Sequence, residues 1–179
     1  MDGAQWLASC HRKPSEAYAA WEQSPFLAKL PAGHGWDALR VQQPLGLTVL
    51  WELGEEADAV PVLEEHAKPR PVFYILTRPD AGAVAWPETE DVRMLTAGED
   101  LSMPSPDADG ITGVRHHSFL WRTPPDGSGR LVDPELLRTA LKSALDPGRQ
   151  AERIRAARAV FWASKRHSHG APDPGHPVR

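Results

Sequence analysis

Residues 72–77 read VFYILT, and the reading of these six positions decides the fold. β-Branched and aromatic side chains suit a pleated surface, and a run without polar alternation describes a strand covered on both faces. Such a strand belongs in the middle of a sheet. Outward from it, WDALRV at 36–41, PVL at 61–63, VRML at 92–95, LSM at 101–103 and SFLWR at 118–122 supply shorter strand candidates. TPPDGSGR at 123–130 is a turn leading into Leu131 and Val132, so the sheet should finish with antiparallel pieces.

Helical patterns occupy the two ends and one internal segment. Residues 4–22 divide at Pro14 into two short helices: Trp6, Leu7 and Cys10 fall at helical spacing, and Ser15 can cap the run holding Tyr18 and Trp21. Residues 24–35, SPFLAKLPAGHG, have the composition of a loop. Pro44 suits the first turn of a helix that Gly54 stops after Leu53. Asp133 followed by Pro134 starts another helix. The carboxylate can accept from a free first-turn amide, and the proline lacks the amide that would be left free. That helix should run to about Leu145 with Leu137, Ala140, Leu141, Ala144 and Leu145 as its apolar stripe, until DPG at 146–148 ends it. A further helix is expected from Arg149 to about Lys165. Ile154, Ala157, Val160 and Phe161 share one side of it, and Arg149, Arg153 and Arg155 lie among the others.

Together these readings give an α+β single domain with a mixed, largely antiparallel sheet flanked by helices, plus a C-terminal basic helix. The expected divisions are 1–147 for the domain, 148–166 for the basic helix and 167–179 for a disordered, Pro-, Gly- and His-rich tail. A length of 179 residues suits one core, and 18 prolines with 14 glycines imply many turns and short elements. No stretch approaches the roughly 20 apolar residues of a membrane span, and MDGAQW lacks the plan of a signal peptide, which together predict no membrane partner and a cytoplasmic location. Cys10 is the only cysteine, so neither an internal disulfide nor a cysteine-based zinc site is available, and a small buried hydrophobe is the expected role. From Gly148 onward seven Lys and Arg face two acids, a balance of +5 that leaves residues 1–147 at −9. An acidic body with a basic tail directs any polyanion to the tail.

Several motifs are missing or incomplete. Neither a phosphate-cradling glycine loop, a nucleophile-elbow serine nor a paired-histidine zinc helix occurs. His116 and His117 adjoin a strand, so they point to opposite faces and do not chelate together. His167, His169 and His176 lack a second shell to orient them on a metal. Asp107 and Asp109 before Gly110 lack the remainder of a calcium loop and read as a solvated turn. Glu52, Glu55, Glu56, Glu64 and Glu65 form an acidic stretch whose default is an exposed face. Trp6, Trp21, Trp36 and Trp51 recur every fifteen residues, but their contexts differ, so they read as core aromatics of separate elements.

AGHGWDALRVQQPLG at 32–46, PVFYILTRPD at 71–80 and DVRMLTAGEDLSMPSP at 91–106 occur in an order that carries a resemblance, continued by FLWRTPPDG at 119–127 and a leucine-rich helix. This series resembles the prim-pol domain, the bifunctional DNA primase/polymerase N-terminal domain of the archaeo-eukaryotic primase superfamily. More closely, it looks like the reduced, prim-pol-like proteins of actinobacterial type. In active members a strand carries two acids at alternating positions that hold divalent metal for phosphoryl transfer. Here the resemblance puts Arg40 and Gln42 at those positions. A second strand presents a phosphate-contacting histidine ahead of an aromatic pair, and Val72 stands there before Phe73 and Tyr74. The third element, an acid heading a strand before a glycine and a proline-serine turn, persists as Asp91 with Gly98 and Pro104-Ser105.

One carboxylate of three, with a guanidinium where a ligand should be, cannot build a two-cation clamp. The resemblance therefore implies a catalytically inactive regulatory or interaction module, with a protein partner or self-association. Residual contact with nucleotide or nucleic acid would run through Arg40, Arg70, Arg78 and Arg93, whose forks match phosphate. Two other readings stand beside it. One is DNA or RNA binding by the basic helix, through Arg149, Arg153, Arg155 and Arg158. The other is a residual metal-dependent nucleotidyl-transfer enzyme using Asp91 with Asp37 or a neighbouring glutamate. Only this last reading brings in a divalent metal; otherwise no cofactor is expected.

Overall fold

The structure, a computed structural model, describes residues 1–66, 69–87, 89–114, 117–152 and 155. In chain order its helices and strands begin with α1 (Gly3–Ser9), α2 (Pro14–Glu22), β1 (Ala28–Pro31), β2 (Asp37–Gln42) and α3 (Gln43–Leu53). They continue with β3 (Val62–Glu65), β4 (Val72–Thr77), β5 (Val92–Leu95), β6 (Asp100–Met103), β7 (Thr112–Val114), β8 (His117–Thr123) and α4 (Pro134–Leu145). Short 3-10 turns cover Gly54–Ala59 and Ala81–Ala83. The class is α+β.

VFYILT is β4, buried at every position and lying between β2 and β3 in a six-stranded sheet of order β5-β2-β4-β3-β8-β7. Among the described residues all paired strands are antiparallel, and the parallel element is one isolated bridge between Thr77 and Val132. β1 and β6 form a separate two-stranded ribbon.

Alternation sorts the faces of the large sheet. Ala38, Arg40 and Gln42 lie opposite Leu76, Tyr74 and Val72, whereas Leu39 and Val41 lie opposite Ile75 and Phe73. The first set faces α1, α2 and the β1–β6 ribbon, where Leu7, Ala17, Leu30 and Met103 join Ala38, Tyr74 and Leu76 in one apolar cluster. The second faces α3. A Cβ on Gly46 would stand 2.7 Å from Phe73 Cδ2 and 3.1 Å from Val41 Cγ2, so helix and sheet approach this closely because residue 46 has no side chain.

Local chemistry explains the helix ends. Asp2 and Gln5 close a capping box on α1. Pro14 occupies the first turn of α2 and Lys13 its cap, so Ser15 lies inside the helix and does not cap it, contrary to expectation. α3 runs from Gln43 to the positive-φ Gly54 as expected. Asp133 Oδ1 accepts from the amides of Glu135 at 2.9 Å and Leu136 at 3.2 Å, the predicted start of α4, whose Leu137, Ala140, Leu141 and Ala144 are buried. Two strands were not expected. β1 arises inside the loop-like 24–35 because Leu30 pairs with Leu101 of β6, and β7 forms by pairing with β8.

Met1–Ala144 is one compact unit and Leu145–Arg179 a second. In the second, residues 147–152 and 155 are helical, and Asp146 Oδ1 accepts from the Gly148 amide at 2.8 Å. The DPG that closes α4 thus also opens a helix. Arg149 and Arg155 are helical and exposed. Arg153, Ile154, Ala157, Arg158, Val160, Phe161 and 167–179 lie outside the described residues. Among the described residues no helix is long and apolar enough to cross a membrane.

Candidate functional site

Arg40 and Gln42 alternate along β2 and project to the same sheet face. Arg40 lies opposite Tyr74 on β4 and opposite Arg93 on β5, while Gln42 lies opposite Val72. The Gln42 amide donates to the Asp91 carbonyl at 3.3 Å. The three landmarks singled out in the sequence, Arg40 with Gln42, Val72 and Asp91, therefore occupy neighbouring chain segments at one end of the sheet. Arg40 and Arg93 put two guanidinium groups at this end, where the resemblance would place paired acids. Arg93, mostly exposed, is ion-paired with Glu99, and Gln42 Oε1 is buried without a hydrogen-bond partner among the described residues.

The other expected site residues are not gathered here. Asp37 begins β2 opposite Thr77, whereas Asp91 lies beside Gln42 at the far end. Five residues of extended strand separate those ends by roughly 17 Å, and a divalent ion holds oxygens only about 2–2.6 Å away. One ion cannot bridge them, so the pairing of Asp37 with Asp91 is corrected. Asp37 is 1% exposed, and its Oδ2 accepts from the Ala81 amide at 3.0 Å. Burial raises its pKa; the nearby amides of Ala81, Gly33 and Gly82 oppose this, although among the described residues Oδ1 has no hydrogen-bond partner. Its role is to fasten the start of β2 to the Ala81–Ala83 turn. Arg78 is likewise displaced from the Arg40 end: it follows the opposite end of β4 and pairs with Asp133 at the start of α4. Arg70 is exposed near the Val72 end.

A buried polar chain escaped the sequence reading. Glu65, 7% exposed, accepts the Tyr74 hydroxyl at Oε2 (2.5 Å), and its Oε1 lies 2.7 Å from His117 Nδ1. Burial and the adjacent Glu65 carboxylate drive the Tyr74 pKa strongly upward, against a smaller opposing effect of Arg40. Tyr74 thus remains a neutral donor. Glu64, also 7% exposed, accepts from Gln43 Nε2 at 2.8 Å and lies 3.5 Å from His66 Nε2. The expected exposed acidic face is corrected at both glutamates: their partners compensate burial of the carboxylates. Glu65 shares the Arg40 face but lies two strands from Gln42, roughly 10 Å away.

The remaining motifs have local roles. Asp107 and Asp109 are exposed, and the Asp107 amide bonds Ser105 Oγ. Cys10 is buried, which pushes its thiol up to about 11. Trp36 is fully buried, but Trp51 is 77% exposed, so the expectation of four core tryptophans fails at Trp51. No protein-family model matches the chain, and neither a curated protein nor a solved structure does.

Proposed function

We propose that the chain is a prim-pol-like domain that has exchanged metal-dependent nucleotidyl transfer for a role as an interaction module, with Arg40 and Arg93 contacting an anionic ligand such as a nucleotide directly. The carrying observation is Arg40 opposite Arg93 across β2 and β5, with Gln42 two residues on. That is the end where the resemblance implies paired carboxylates. Arg93 already pairs with Glu99, and a phosphate placed between Arg93 and Arg40 would be bound by two guanidinium forks whose geometry matches its oxygens. The same arrangement disfavours a divalent ion, which is held by carboxylates.

Calorimetric titration of the full chain with ATP, in EDTA and in magnesium, tests this reading. Saturable binding that EDTA leaves unchanged and Arg40→Ala weakens about tenfold or more is expected, because one charge-assisted hydrogen bond contributes about 1.5–3 kcal/mol. Binding that is absent, or that requires magnesium and is lost in Asp91→Asn, overturns it. A second reading, nucleic-acid contact through residues 149–166, is supported by the +5 balance of the C-terminal part. It requires affinity that falls steeply with salt, and a flat response removes it.

A further inference from the structure

α3 carries two apolar stripes, and the sheet uses one. Gly46, Val49 and Leu53 are buried, with Gly46 against Phe73 and Val41. Leu47, Leu50 and Trp51 form a second stripe at helical spacing, in which Leu47 is 44% and Trp51 77% exposed. A tryptophan on a helix normally contributes its large ring to a core or an interface. These residues line an open groove of ≈ 770 Å³, shared with Glu55 and Asp58 of the Gly54–Ala59 turn and with Arg122 of β8.

The groove combines an apolar floor with a negative end. Glu56 pairs with Arg130, but Glu55 and Asp58 make no ion pair among the described residues. The carbonyl end of α3 adds partial negative charge beside them. Arg122, the cation of the far wall, packs 5.6 Å from the Phe73 ring centroid. The −9 balance of residues 1–147 favours a cationic visitor over an anionic one.

We infer that this groove docks a basic amphipathic helix of a partner protein, with aliphatic side chains on Leu47, Leu50 and Trp51 and Lys or Arg at Glu55 and Asp58. Helix-in-groove recognition uses anchors one helical turn apart, and an accessible tryptophan is among the residue types that dominate such interfaces. The groove lies on the α3 face of the sheet, opposite the face that bears Arg40. This inference therefore goes beyond the anion-binding reading and survives its failure.

Fluorescence anisotropy with the full chain tests it. The probe is a labelled peptide of about five helical turns, with Leu repeating at helical spacing and Arg elsewhere, compared with a counterpart carrying Glu in place of Arg. The Arg peptide should bind saturably and at least about tenfold more tightly than the Glu peptide. Trp51→Ala should weaken it about tenfold or more while leaving the melting temperature in place, as expected for an exposed aromatic anchor of an interface. Glu55→Gln with Asp58→Asn should weaken it and flatten its salt dependence. No binding, or equal binding to wild type and W51A, overturns the inference. A dimer seen by sedimentation and dissociated by W51A gives the groove to a second copy and overturns the partner assignment.

Discussion

Replacing Tyr74 by Phe removes one oxygen and leaves the ring in place, so its consequence can be worked from the buried chain it belongs to. The hydroxyl donates to Glu65 Oε2 at 2.5 Å, and Glu65 is 7% exposed, so water has little room to substitute. A hydrogen bond to a charged group contributes about 1.5–3 kcal/mol, and a buried acceptor left unsatisfied incurs its full desolvation cost. A loss of about 2 kcal/mol follows, which is roughly 4–8 °C in melting temperature for a domain of this size. Urea unfolding followed by tryptophan fluorescence measures it. The sequel is Glu65→Met with Y74F, which removes both partners and should cost clearly less than the two single changes summed. Burial and Glu65 raise the Tyr74 pKa above its ordinary 10.0. Stability that depends on the neutral hydroxyl is therefore complete below pH 10 and declines as pH rises through the folded-state value, so the gap between wild type and Y74F should narrow in that alkaline range. A gap under about 0.5 kcal/mol near neutrality, or fully additive single changes, refutes the reasoning, because coupled buried partners are not additive.

Two further outcomes follow from packing and burial. For Asp37→Asn, burial raises the folded-state pKa of the carboxyl above 3.8, so its favourable contribution is present below that value and lost as pH rises through the folded one. Urea titrations across that acidic window should therefore show the variant gaining on wild type as pH rises; a constant difference means the carboxylate ionises without penalty. Gly46→Ala gains about 0.8–1 kcal/mol of helix propensity but forces a Cβ to 2.7 Å from Phe73 Cδ2. Overpacking costs about 1–3 kcal/mol, so the urea midpoint should fall, and a rise would show that α3 can move off the sheet.

Features set by local chemistry were the legible ones. VFYILT declared a central strand, and Asp133-Pro134 declared a helix start, because β-branching, capping and proline act within a few residues. β1 and β7 were hidden because their strand character comes from partners far along the chain, at Leu101 and Phe119. Glu64 and Glu65 looked solvated for the same reason. Gln43, Tyr74 and His117, which justify their burial, are brought beside them by sheet register. Register also joins Arg40 to Arg93 and separates Asp37 from Asp91, neither of which spacing alone could decide. Trp51 was misread because its residue type favours a core, while its helix position turns it outward.

The proposal that the chain does not carry out metal-dependent nucleotidyl transfer rests on Arg40 and Gln42 standing where the resemblance expects paired acids. Template-dependent incorporation of labelled nucleoside triphosphates by the full chain, with magnesium and with manganese, tests it most directly. The account requires primer extension no greater than in protein-free controls. Extension above them that Asp91→Asn abolishes would contradict it.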